Sequence, residues 1–194
     1  MNDYSIALFL HIVGALGFFV ALGLEWTSLG HLRRATTVEQ VREWMRVPGE
    51  MGRVGMIAMV TLLGAGLYMM ATAWGGAPWI LVTFGALVVM SVFGMVLTRR
   101  RMAAIGRTLS AERGPLSPAL RQLLHDPLLA ISLDTRVAIA LGIVFLMTVK
   151  PDLSVSLLVI IIAAMLGLAS ALPSLRREQA QGESSETGDE FHQA

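Results

Sequence analysis

Five apolar runs, each close to the length of a bilayer crossing, constrain this chain more than any other feature. A helix needs about 20 mostly apolar residues to cross the hydrocarbon core. The runs 5–24, 54–73, 79–98, 128–149 and 155–172 meet that test. The expected fold is an all-α integral membrane protein, a bundle of five transmembrane helices within residues 1–175. Composition agrees: 55% of the residues are hydrophobic, 15% are charged, and the mean hydropathy is +0.65. That is too apolar for an ordinary soluble domain, and the charges gather between the runs. Cysteine is absent, which excludes disulfide frameworks, thiolate metal sites and iron–sulfur ligation.

The loops give the expected orientation. Residues 31–53 hold five arginines and residues 99–127 hold six, whereas WGGAP is neutral and KPDLS is nearly so. Positive charge stays in short cytoplasmic loops. With the N-terminus outside and the C-terminus in the cytoplasm, 13 of the 15 basic residues fall inside, Arg176 and Arg177 among them. Only Arg136 and Lys150 are left over. Trp26, Trp74 and Trp79 stand at span ends, as interfacial aromatics do. The opening MNDY lacks a basic n-region and the first run is long, so no cleaved signal peptide is expected. The polar, acidic stretch 176–194 reads as a disordered cytoplasmic tail. VEQVREWM, residues 38–45, carries apolar residues at helical spacing and reads either as a helix on the inner membrane surface or as a plain loop helix. The expected location is the inner membrane, multi-pass. Topology and contact with anionic lipid explain the arginine-rich loops, and nucleic-acid binding is not expected.

Ionisable residues inside spans are costly and mark functional sites by default. Here they are His11, Glu25, Asp134, Arg136 and Lys150. At about 100° per residue, positions 14 apart return to nearly the same helix face. His11 and Glu25 have that separation, as do Arg136 and Lys150. Antiparallel packing of the first and fourth spans would let Glu25 meet Arg136 as an intramembrane ion pair near the inner side. His11 would then approach Lys150 near the outer side. Asp134 points away from Lys150, leaving Arg99, Arg100 or Arg53 as its candidate partners.

Each residue also has a plainer role open to it. The Glu25–Arg136 pair serves equally to fix helix register, and Lys150 to snorkel to the outer interface. His11 is either a hydrogen-bonded packing residue or a contact to a cofactor, metal or substrate. A bis-histidine haem needs two facing intramembrane histidines, but His31 and His125 are cytoplasmic and His192 lies in the tail. A haem held by one histidine stays open. So does a thioether contribution from methionines such as Met69, to haem iron or to Cu(I). Small residues at Gly14, Gly17 and Ala21, and at Gly52, Gly55, Gly64 and Gly66, suit close helix approach. No nucleophile constellation, phosphate-binding loop or HExxH motif is present.

The segment FLHIVGALGFFVALGLEW, residues 9–26, resembles the opening helix of small bacterial membrane proteins that carry L-H-(I/V)-(L/V)-G-A. The nearest likeness, over residues 5–172, is to a widespread family of integral membrane proteins of unknown function. More distantly, the chain is similar to the copper-resistance D membrane domain and to the HemJ-type membrane protoporphyrinogen oxidase. In that oxidase family a first-helix histidine and a later lysine are tied to haem b, so the resemblance implies His11 and Lys150 as the matching cofactor-binding positions. Three functions remain open. One is an inner-membrane protein that binds haem or another small hydrophobic cofactor near His11. Another is a haem-dependent membrane oxidoreductase. The third is a small transporter subunit or structural partner in a membrane complex, with another protein or with further copies of itself.

Overall fold

The computed structural model describes residues 2–170, and every regular element in that range is a helix. Helix α1 spans Asp3–Arg34 and α2 spans Val38–Met69, continuing through a π-helical turn, Met70–Trp74. Helix α3, Pro78–Phe93, runs through a second π turn, Gly94–Thr98, into α4, Arg99–Ala111. Helix α5 is Pro118–Leu124, α6 is Pro127–Val149 and α7 is Leu153–Ser170. Five helical segments are long and apolar enough to cross a membrane, and each expected span lies on one of them. The expected tail and Arg176–Arg177, like residues 171–172 of the fifth span, lie outside the described residues.

Local chemistry sets the helix ends. Thr37 caps α2 by accepting from the Gln40 amide, and the Gln40 side chain accepts from the Thr36 amide at 2.8 Å, close to a capping box. Asp126 caps α6 through the Leu128 amide at 2.9 Å, and Asp152 caps α7 through the Val155 amide at 2.9 Å. Proline opens α3, α5 and α6, where its missing N–H has no helical partner to lose. Asp3 in the first turn of α1 and His31, Arg33 and Arg34 in its last complement the helix dipole.

Helix α1 packs chiefly on α2 rather than on α6, which it meets at only a few positions. The small residues explain the choice. A Cβ on Gly14 would stand 2.7 Å from the Leu62 amide nitrogen, so only glycine allows this approach. Gly17 faces Ala58, and Gly55 faces Ala21. On the other side, α6 packs on α7, with Gly142 against Ala163 and Gly167 against the Thr135 backbone, while α3 lies against both. The chain thus forms an α1–α2 hairpin and an α3–α6–α7 group.

At the arginine-rich end the helices run well past the apolar runs. At about 1.5 Å per residue, the 32 residues of α1 extend roughly 48 Å, against about 30 Å of hydrocarbon. There Leu32, Val38, Val41, Ile105, Leu120 and Leu124 are almost fully buried in one core. Residues 38–45 are helical, as expected, and the core decides where they sit. This segment is the first part of α2, with Val38 and Val41 inside the core and Trp44 stacked on His31 at 3.9 Å. Arg101 pairs with Asp126 at 2.7 Å and Arg33 donates to the Asp126 carbonyl, tying α4 and α1 to the start of α6. Along the apolar runs, by contrast, Phe9, Leu16, Met56, Ile57, Leu158 and Leu166 are exposed, as in a bundle compatible with a lipid surround.

Candidate functional site

The seam between the hairpin and the three-helix group holds a cavity at each end. At the arginine-poor end, a cavity of about 330 Å³ is lined by α1, α2, α3 and α6. It lies at the lower edge of the range for ligand pockets, about 300–1,000 Å³. Its walls are mostly apolar, and its polar side chains are Tyr4, His11, Thr83, Thr148 and Lys150, with the Trp74 and Trp79 indoles.

His11 is held in a defined orientation. Its Nδ1 lies 3.0 Å from the Leu62 carbonyl oxygen. A carbonyl only accepts, so Nδ1 carries the proton and, in the neutral ring, Nε2 carries the lone pair. Metal-binding histidines are commonly fixed in this way, one nitrogen tethered to a carbonyl and the other turned to a ligand. Gly66 makes room for the ring: a Cβ there would stand 3.2 Å from His11 Cε1. The glycine one helical turn beyond Leu62 therefore admits the imidazole that Leu62 orients.

A cluster from four helix ends closes the rim. The Lys150 ammonium sits 4.0 Å from the centre of the Trp74 ring, within reach of a cation–π interaction. Trp74 Nε1 donates to Tyr4 Oη at 3.2 Å, and Trp74 meets Trp79 edge-on at 5.7 Å. Lys150 is the one non-glycine residue with positive φ among those described, at 55°. It ends α6 in the left-handed conformation that glycine usually takes at this place. Deeper in, Thr83 is 1% exposed, and its Oγ1 has no hydrogen-bond partner among the described residues.

Toward the arginine-rich end, Arg136 Nη1 donates to Glu25 Oε1 at 2.8 Å, with both side chains largely buried. Glu25 and Arg136 come together across the seam although α1 and α6 are not packed along their length. His11 and Lys150 line one cavity. Among the described residues, Asp134 meets none of Arg53, Arg99 and Arg100; it lies on the α7 side of α6 and accepts from the Ser170 hydroxyl at 3.0 Å. Met69 lines the cavity with His11. Among the described residues, no group of three or more His, Cys, Asp or Glu side chains is placed to hold a metal ion.

Sequence reasoning passed over Thr83, Tyr4 and the π turn that carries Trp74. The signal for Thr83 was present: it is a lone hydroxyl within WILVTFGALVV. Comparison with protein-family models, with characterised proteins and with solved structures finds no match to this chain.

Proposed function

We propose that this chain is a five-span inner-membrane protein, N-terminus outside and C-terminus in the cytoplasm, that binds a flat hydrophobic cofactor in its outer cavity. Haem b is the first candidate. One observation carries the reading: His11, tethered through Nδ1 to the Leu62 carbonyl, offers Nε2 within an apolar cavity. The donor set suits a haem with a single imidazole ligand. The cavity walls include the exposed side chains of Leu8 and Ile12, so a macrocycle can lie partly between protein and lipid. Lys150 at the rim is a cation for acidic substituents at the edge of such a ligand, and Thr83 Oγ1 supplies an unused hydrogen-bonding group in the wall. When bound, haem would supply one-electron chemistry. The chain's own part is to orient the imidazole, keep the face dry and place a cation at the interface.

The test is the absorption spectrum of detergent-purified full-length protein supplied with haem. A Soret band is expected that disappears in His11→Ala and persists in Tyr68→Phe, whose side chain is exposed and off the cavity wall. A colourless protein, or a band unchanged in His11→Ala, would sink the proposal.

A further inference from the structure

The second cavity is larger, about 790 Å³, and lies in the same seam toward the arginine-rich end. Glu25, Arg53, Arg99 and Arg136 all line it. Among the described residues, three arginines and one glutamate thus line the cavity, and that glutamate is already paired with Arg136. Arg136 uses only Nη1 in this pair. Its Nε and Nη2 have no hydrogen-bond partner among the described residues, although its side chain is just 15% exposed. An arginine has five N–H donors in a rigid fork suited to phosphate. Here one edge of that fork is committed to Glu25 and the rest has no partner among the described residues.

The wall beneath Arg136 is shaped to fit it. A Cβ on Gly94 would stand 3.2 Å from Arg136 Cζ, so the guanidinium lies directly on glycine backbone. Gly94 opens the second π turn, a local geometry that occurs often at functional sites. The rest of the lining is apolar and adaptable: Met45, Met51, Met56, Met59, Met90 and Met102 all face the cavity. Flexible thioether side chains conform readily to irregular apolar ligands. Met56 and Val60 on α2 are about two-thirds exposed, so the cavity opens sideways, where hydrocarbon would lie, as well as toward the arginine-rich end.

We infer that this cavity binds an anionic phospholipid of the arginine-rich leaflet, its phosphate on Arg136, Arg53 and Arg99 and an acyl chain against the methionine wall. A dedicated site of this kind differs from diffuse attraction of lipid to basic loops, since it uses a largely enclosed guanidinium whose remaining donors face the cavity without a partner among the described residues. The inference rests on the membrane reading above but not on the cofactor: a colourless protein leaves it standing.

The full-length protein is purified in mild detergent, and retained lipid is counted by native mass spectrometry after addition of phosphatidylglycerol or phosphatidylcholine. One phosphatidylglycerol is expected to stay bound, with at least a several-fold preference over phosphatidylcholine. Arg136→Gln should abolish that preference. Because this change strands Glu25 and can cost the fold, Glu25→Gln is the second arm. It frees the whole Arg136 fork and should raise retention several-fold. Arg107→Gln with Arg121→Gln, on exposed surface away from the cavity, should change nothing. Equal retention of both lipids, unchanged retention in Glu25→Gln, or equal loss in the surface double variant would overturn the inference. Inorganic phosphate that displaces the lipid at comparable concentration would overturn the assignment to a lipid.

Discussion

Lys150 joins two effects that normally sit on different residues. Left-handed backbone costs a non-glycine residue about 1–2 kcal/mol, yet this position carries a lysine whose ammonium covers Trp74. Lys150→Gly removes strain and cation together, whereas Lys150→Met removes the cation alone. Thermal unfolding in detergent should therefore find the glycine variant more stable than the methionine variant by about 1 kcal/mol; equal stabilities would show that the backbone there is unstrained. Two residues on, Asp152 caps α7, and bonds from the Val155 amide and the Ser154 hydroxyl hold its carboxyl below the ordinary value. A carboxylate lowered in the folded state adds stability that is complete above the unfolded value, about 4, and is lost as pH falls through the folded value. Asp152→Asn is expected to flatten the acid limb of the unfolding profile, with its loss of stability at neutral pH and the smallest difference at acid pH, as a pH series of melting curves would record. At this scale the sequence was partly legible. Fourteen-residue spacing places His11 with Glu25 and Arg136 with Lys150 on shared faces, but it says nothing of Trp74, whose direction depends on a π turn that no residue pattern announced. Asp134 was read toward arginines because charge was the only cue, and the Ser170 hydroxyl that serves it gives no such signal.

The helix pairs show where small residues matter by position rather than by number. Gly14 meets the α2 backbone, but Gly23, on the same helix, has open space around it. Gly14→Ala should cost about 1–3 kcal/mol through overpacking, while Gly23→Ala should be neutral, as judged by unfolding midpoints of the two variants. Comparable losses at both sites would mean that α1 and α2 are not held by this contact. The five apolar runs were legible because helices able to cross a membrane need length and hydropathy, which a sequence displays directly. The extension of α1 and the helices α4 and α5 were not, and residues 38–45 showed their helical spacing but not what they pack on. Their buried residues, Leu29, Leu32, Val38, Ile105 and Leu120, are separated by long stretches of chain and mixed with arginines. Such a core shows only when distant segments meet. Both π turns border cavities, with Met70 and Trp74 at one and Gly94 and Thr98 at the other. Helical regularity is therefore broken on the walls where ligands are proposed.

Across the whole molecule, the closest backbone approaches lie within the hairpin and within the three-helix group; the two parts share one core at the arginine-rich end, and both cavities lie in the seam between them. Val60 lines one cavity and Leu62 the other, so the two are separated along α2 by a single residue. Met59 and Met90 line one cavity and Leu63 and Leu87 the other, and all four belong to or pack on the one core. This division bears on how the chain is made. Helices α1 and α2 are consecutive, and they can bury their glycine contacts before α3 has left the ribosome. The later helices likewise hold their own closest contacts, Gly142 on Ala163 and Gly167 on Thr135. The exposed turn at Gly75 and Gly76 joins the two parts. Cut at that turn and co-expressed, residues 1–75 and 76–194 should reassemble and co-purify from membranes through a tag on either piece. Two fragments that never co-purify would make the uncut link indispensable to assembly. Reassembly would mean that biogenesis proceeds by docking two prefabricated pieces, and that both cavities come into being only at this last step.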